Sequence, residues 1–528
     1  MNLTRLAFST WLLFCGPLAA AAQDAAGIYG VYNEGSLDAG DGIAPGSNIL
    51  IFSGQFAVGP AVPQTAPTYP LVTTLAGTSV RATVGGVTVD LYVLGAETQW
   101  VRAMFPSRTP VGDGTLVVTY YGQSSVPYRL HVVERHLSIY DGSWCGPSSL
   151  PKPPSFCVHR AVQNADRLGA VTANSLTTPA RSGAFVTLWG TGLGAAPGDE
   201  SAGPIPGQIS APGLQVFIGG QAAEIIYSGR SGCCAGMDQI SFAVPAGIEG
   251  CSVPVWVRYQ EDGAATGDRL VSIASGAGPC ADPHGLDVDE VRKLSAGQLK
   301  AAQVSASPSA GYWSAIFGTA AGTNVIPFGT CTSFYGGGEN PVELDLNSLG
   351  NAGNTLTLRS PTQTFQATWN TYGAYNGPLD SLPEPGAYRL DNGAGGPALA
   401  AFQANFTIPD STFTWTNRDT LAAVSAAGLT VTWEARDPGA GFVIIGGIFR
   451  NGGEAGAIFK CAERADRGTF TIPRSVLERA GVWSNRFDEL NLSVGLRVSA
   501  RIPVAGVDYA EFAFYSAPAW KTIELQPH

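Results

Sequence analysis

The chain has 528 residues and a formal charge of −11; 13% of residues are charged, 10% are aromatic, and glycine (67) and proline (36) together make up nearly a fifth. The acidic balance disfavours nucleic acid and anionic membrane as partners, and a hydrophobic content of 45% excludes wholesale disorder. Low charge, many aromatics and frequent turn formers are the composition of an extracellular all-β protein, at a length that suits two to four domains.

Residues 1–22 read as a secretory signal peptide: Arg5, the apolar run Trp11-Leu12-Leu13-Phe14, then Ala19 to Ala22 before Gln23. That run is too short to span a bilayer, and Phe14 is bulkier than lipoprotein processing at Cys15 normally needs. Eight cysteines follow: Cys145, Cys157, Cys233, Cys234, Cys251, Cys280, Cys331 and Cys461. An even number in an oxidising compartment points to disulfides. Local spacing favours Cys145 with Cys157 and Cys251 with Cys280, leaving Cys331 and Cys461 for the C-terminal region. The adjacent Cys233 and Cys234 either bond each other or pair elsewhere. No Cys-x-x-Cys pair exists and histidines are few, which argues against zinc.

A first module is expected over residues 27–136. Its alternating runs are Asn48–Phe52, Ser79–Val84, Val87–Val93, Trp100–Phe105, Thr115–Tyr121 and Tyr128–Val133, with Gly85-Gly86 as a two-residue hairpin turn. Residues 137–168 are expected to be a proline-rich linker pinned by Cys145 and Cys157. A second module is expected over residues 169–280. It repeats the first: Phe52 and Trp189 are 137 positions apart, Gly85 and Gly219 are 134 apart, and Pro106 and Pro245 are 139 apart. A repeat that long is a whole domain, not a solenoid unit. Short strands at this spacing predict tandem immunoglobulin-like β-sandwiches. In residues 281–528 the pattern from Asp287 to Ala302 suggests a short amphipathic helix, weakened by Gly297. Alternation then returns from Tyr312 onward and suggests a larger β-sandwich of jelly-roll type.

The motifs Gly190-Thr191-Gly192-Leu193-Gly194, Gly219-Gly220-Gln221-Ala222-Ala223, Tyr227-Ser228-Gly229-Arg230, Ala235-Gly236-Met237-Asp238-Gln239-Ile240 and Val244-Pro245-Ala246-Gly247 resemble the uncharacterised Ig-like domains of secreted acidobacterial proteins. Those domains are similar to the IPT/TIG group. The resemblance covers roughly residues 27–280 and is most specific in the second module. It implies an Ig-like fold and an extracellular setting, with no catalytic residues to carry over. Residues 281–528 resemble the C-terminal region that accompanies such modules.

Chemistry is sparse. His131, His136, His159 and His284 show no metal-binding spacing, and there is no Gly-x-Ser-x-Gly elbow, Walker loop or Rossmann fingerprint. Asp287-Val288-Asp289-Glu290 is the densest acidic cluster, but it lacks EF-hand spacing and suits a helix N-terminus. Trp369, Tyr372 and Tyr375 lie in a Gly/Asn-rich stretch and are the candidates for stacking on sugar rings; Tyr312 and Trp313 could join them. The sequence therefore favours a secreted or cell-surface protein, non-enzymatic and without a cofactor, serving adhesion, matrix or ligand binding. Carbohydrate or another extracellular protein would be the partner. The alternatives are an extracellular glycan-active hydrolase and a passive structural or assembly subunit.

Overall fold

The structure is a computed structural model. It describes residues 27–35, 42–54, 56–66, 69–140, 162–165, 171–259, 269–281, 286–307, 311–323, 327–335, 344–347, 350–379, 381, 383–424, 428–436, 441–451, 454–479, 487–515 and 519–525. The expected signal peptide and the stretch holding Cys145, Cys157 and His159 lie outside these residues, as does His284.

The first module is built on eight strands: β1 (Ile28–Asn33), β2 (Asn48–Ser53), β3 (Thr78–Val84), β4 (Val87–Asp90), β5 (Tyr92–Glu97), β6 (Trp100–Met104), β7 (Gly112–Tyr120) and β8 (Tyr128–Val132). The second is built on β9 (Val162–Ala165), β10 (Phe185–Thr191), β11 (Leu214–Ile218), β12 (Gln221–Ala223), β13 (Ile225–Arg230), β14 (Asp238–Ala243), β15 (Gly250–Tyr259) and β16 (Arg269–Ala274). Strands of two or three residues flank both sets. The pairing in one module reproduces the other. One sheet runs β1-β2-β6-β5, matched by β9-β10-β14-β13; the facing sheet runs β4-β3-β7-β8, matched by β12-β11-β15-β16. The internal repeat is thus a repeat of topology, each copy an Ig-like sandwich closed over its own apolar core.

Alternation explains how these residues make two-sided layers. In β3 the inward residues Val80, Ala82 and Val84 are buried, while Arg81 between them is exposed. The hairpin glycines behave alike in both copies: Gly85 and Gly86 have φ of 55° and 82°, and Gly219 and Gly220 have φ of 54° and 79°. These are type I′ angles, which glycine adopts without a Cβ penalty.

Two expectations change in detail. The run Val87–Val93 reads as one strand but is two. The chain leaves β4 in one sheet and enters β5 in the other, with Leu91 fully buried at the crossing. Val89, Leu91 and Val93 all face the core, so the alternation is unbroken although the sheet changes. The linker is also partly structured: Ser138–Ile139 and Val162–Ala165 both pair with β10, extending the second module's sheet.

A short helix follows, α1 (Val288–Ser295), shorter than the pattern to Ala302 suggests. Asp287 caps it with a reciprocal capping box to Glu290. Gly297, at φ 65°, turns the chain out of the helix, and Leu299 opens a strand.

The C-terminal region contains β17 (Leu299–Ser307), β18 (Tyr312–Thr323), β19 (Thr330–Tyr335), β20 (Leu344–Asn347), β21 (Thr355–Arg359), β22 (Thr364–Trp369), β23 (Tyr375–Pro378), β24 (Gly386–Asp391), β25 (Gln403–Ile408), β26 (Thr412–Trp415), β27 (Gly428–Arg436), β28 (Phe442–Asn451), β29 (Glu454–Arg464), β30 (Thr469–Pro473), α2 (Arg474–Arg479), β31 (Glu489–Arg501), β32 (Tyr509–Tyr515) and β33 (Ala519–Glu524). A 14-stranded ladder runs β19-β29-β28-β31-β32-β17-β18-β23-β22-β21-β24-β25, with β20 on β18 and β33 on β31; β26-β27-β30 form a separate three-stranded sheet. The ladder curls so that its end strand β25 meets β31. One core lies inside that curl, around Trp313, Phe317 and Tyr375. A second lies between β26-β27-β30 and the other end of the ladder, around Trp433, Phe449 and Phe459. The expected larger sandwich therefore encloses two cores. Strand alternation is identical for one core or two, so only the pairing distinguishes them.

Candidate functional site

The aromatic residues suggested as a sugar platform are separated by burial. Tyr375 is completely buried in β23 and donates its hydroxyl to the Gly353 carbonyl at 2.6 Å. Trp369 is half-buried and packs edge-on against Tyr375, with ring centroids 5.1 Å apart. Trp313 is also fully buried. Tyr372 stands alone at the tip of the β22–β23 turn, 87% exposed, and Tyr312 is 46% exposed. The site therefore loses Tyr375: a core residue cannot offer a ring face to a ligand. β-Strand alternation sent Phe365, Ala367 and Tyr375 inward and left the turn residue outside.

Among the described residues the cysteines take three bonds: Cys233 with Cys234, Cys251 with Cys280, and Cys331 with Cys461. Cys331 and Cys461 sit opposite each other across β19 and β29. Among the histidines, His131 pairs with Asp113 at 2.7 Å on the surface, and His136 bonds the Gly42 carbonyl. The acidic cluster is consumed by the helix: Asp287 and Glu290 form its capping box, Arg292 pairs with Asp289 at 2.8 Å, and Arg501 pairs with Glu290 at 2.8 Å. Among the described residues no group of three His, Cys, Asp or Glu could hold a metal.

The densest chemistry lies where the first two modules meet. Arg230 ends β13 directly opposite Asp238, which opens β14. Both are buried, at 2% and 1% exposure, and Arg230 Nε lies 3.1 Å from Asp238 Oδ1, an ion-pair distance without hydrogen-bond alignment. The guanidinium also meets Glu200 at 3.1 Å. It donates to the Gly46 carbonyl at 2.6 Å and the Gly194 carbonyl at 3.0 Å. Gly46 belongs to the first module, so one cation from the second module is held by both. Its φ of 79° and the 2.5 Å from a would-be Cβ to Arg230 Nη2 both require glycine there.

Around this centre the contacts cross repeatedly. The Asn48 backbone N–H donates to Thr191 Oγ1 at 2.9 Å, and its side chain donates to the Tyr140 hydroxyl at 3.2 Å and the Ala235 carbonyl at 3.0 Å. Tyr140 in turn donates to Glu34 at 3.1 Å, and Glu34 is forked by Arg102. Ser107 bridges the joint by donating to Glu200 and accepting from the Ala196 N–H. The vicinal cysteine loop belongs here as well. A Cβ on Gly236 would lie 2.1 Å from Asn48 Oδ1. Ala235 packs with Tyr69 against a small first-module core around Leu71, Tyr92 and Met104.

Burial sets the electrostatics. Removal from water pushes the Asp238 carboxyl up to about 6, with Glu200 adding to the rise; Arg230 and the backbone N–H groups of Leu193 and Gly192 act against it. Burial also lifts the Tyr140 hydroxyl well above its ordinary range, and Glu34 reinforces it. Chemically, the arrangement is a closed clamp: the buried charges of the second module, Arg230, Glu200 and Asp238, compensate one another at the joint, and Arg230 reaches the first module through the neutral Gly46 carbonyl. Sequence reasoning missed these residues. The available signal is a charged pair, Arg230 and Asp238, within the motifs that carry the resemblance, in a chain with few charges.

No family model matches the chain, and no curated protein matches it. Solved structures that match include the full extracellular region of plexin A4, at 8% identity over 89% of this chain and 40% of that one, with a TM-score of 0.16. Another concerns host cell surface retention of a bacterial ice-binding adhesin, at 12% identity over 68% of this chain and 88% of that one, with a TM-score of 0.11. A third is the surface layer protein SbsC, domains 4–9, at 10% identity over 94% of this chain and 66% of that one, with a TM-score of 0.13. The chain spans well under half the plexin structure's length. At these scores the likenesses carry no inference, and the fold rests on the strand pairing described above.

Proposed function

We propose that the protein is an exported, non-enzymatic β-protein that holds a ligand-binding surface in a fixed orientation outside the cell. The observation that carries this reading is the Arg230 clamp. A guanidinium shared between Gly46 of one sandwich and Glu200 and Asp238 of the next stabilises one relative arrangement of the two modules. Domains reorient by default unless their interface restrains them, and here the apolar packing of Ala235 and Tyr69 on Leu71, Tyr92 and Met104 lies beside the Arg230 clamp. Three disulfides fit an oxidising compartment. The hydrolase alternative needs a carboxylate with altered acidity facing a cleft; Asp238 has altered acidity but is 1% exposed and faces Arg230.

Fractionation of the producing cells, with N-terminal sequencing of the recovered protein, tests the reading. The expected result is mature protein outside the cytoplasm, starting near Gln23, with no free thiol at Cys251, Cys280, Cys331 or Cys461. Cytoplasmic protein with those four thiols reduced would contradict it.

A further inference from the structure

Arg359 at the end of β21 and Arg389 in β24 are directly opposite one another in an antiparallel pair, and Asn405 of β25 stands opposite Arg389. All three lie on the outward face of the ladder, since the intervening Leu358, Leu390, Ala404 and Phe406 are buried. Like charges placed directly opposite each other on a sheet face destabilise it. A chain with 41 acidic and 30 basic residues has carboxylates enough to relieve the pair. Yet among the described residues neither guanidinium has a hydrogen-bond or ion-pair partner. The nearby acids are otherwise placed: Glu384 accepts from Thr362 at 3.0 Å, and Asp391 stands in the next outward row, opposite Thr357.

The two arginines line one cavity of about 460 Å³, together with Ser360, Asn405 and Thr407. It is an open surface depression, floored also by Pro361, Ala387, Tyr388 and Phe406, and suits a ligand that lies along the sheet face. We propose that this cavity binds the anionic group of an acidic saccharide, a carboxylate or a sulfate, forked by Arg359 and Arg389. Guanidinium groups only donate, and their planar fork matches a carboxylate or sulfate. Ser360, Asn405 and Thr407 both donate and accept, as ring hydroxyls require. The cavity lies over the face of three strands. Arg359 and Arg389 stand on β21 and β24, each paired on both sides, so a peptide extending the sheet would add beyond β25 and not over the two guanidinium groups; the saccharide is the better fit. The site lies apart from Trp369 and Tyr372, on charged strands that the aromatic pattern did not single out. The inference deepens the ligand-presenting reading and takes from it only an outward setting. Its test uses purified protein, so its failure is distinct from a failure of export.

The test is affinity electrophoresis of the full chain through gels containing polygalacturonate, dextran sulfate, neutral dextran or poly-glutamate. Retardation by polygalacturonate or dextran sulfate but not by dextran is expected, and which of the two retards identifies the acid group. Arg359→Ala with Arg389→Ala is expected to weaken the interaction at least about tenfold. Both side chains project from the outer face, so the melting temperature of the double variant serves as the folding control. The proposal is overturned if neither acidic polysaccharide retards the protein, if the folded double variant is retarded like the parent, or if poly-glutamate retards it equally.

Discussion

Arg230 is 2% exposed, and a guanidinium taken out of water costs several kcal/mol unless its donors are met. Two carbonyls accept from it, Gly46 of the first module and Gly194 of the second, and two second-module carboxylates, Glu200 and Asp238, lie at ion-pair distance, with Nε left out of hydrogen-bond alignment. Asp238 is the titratable weak point of this clamp. Its folded-state value of about 6 lies above the ordinary 3.8, so between those values the folded chain holds a proton that the unfolded chain has released. Stability therefore falls as pH rises from roughly 4 to 6 and levels off above, a contribution on the order of 2–3 kcal/mol. Asp238→Asn keeps an acceptor for the Leu193 N–H and removes the titration. The expected outcome, read by urea denaturation at pH 4, 5, 6 and 7, is a smaller loss of stability across that window than in the parent. An unchanged slope would assign it to another group.

At the level of elements, the sequence was informative wherever one residue type has one physical use. The glycine pairs at Gly85 and Gly219 marked hairpins because only glycine sits comfortably at two successive positive φ angles. Alternation marked strands but not which sheet a strand joins, which is why Val87–Val93 concealed a crossing at Leu91. Helix α1 was visible in its charges, but apolar periodicity ran on through Leu299, a strand residue, past the left-handed Gly297. What anchors the helix start is Asp287, whose side chain accepts from the Glu290 N–H at 2.8 Å. Asp287→Ala is expected to cost about 1 kcal/mol and Asp287→Ser little, measured by chemical denaturation. Equal losses in both variants would remove the cap from the account.

Across the whole molecule, three fasteners act in series. The Arg230 clamp joins the first two modules. A mixed core then joins the second to the C-terminal region: Leu176 and the Cys251–Cys280 bond pack with Leu286, Val291 and Leu294 of the helix segment and with Leu299 and Tyr509. Ion pairs between Lys293 and Asp508 at 2.7 Å, and between Arg501 and Glu290 at 2.8 Å, tie the helix onto that region. Deeper still, Arg497 and Glu511 are paired at 0% and 1% exposure, and Tyr509 donates to the same carboxylate at 2.9 Å. The partners that join one region to another are far apart in sequence: 184 positions separate Gly46 from Arg230 and 215 separate Lys293 from Asp508. Periodicity and local motifs report strands and turns, so they do not report these joints. The same holds for the aromatic platform: a Gly/Asn-rich stretch does not reveal which of its rings the core will claim.

The central claim is that the two sandwiches form one rigid body. Spin labels at the exposed, equivalent hairpin strands, introduced as Thr88→Cys and Gln221→Cys, allow the distance between modules to be measured by pulsed dipolar spectroscopy. The account predicts a single narrow distance distribution that broadens when Arg230→Ala is added. A broad distribution in the parent, or one indifferent to Arg230, would contradict it.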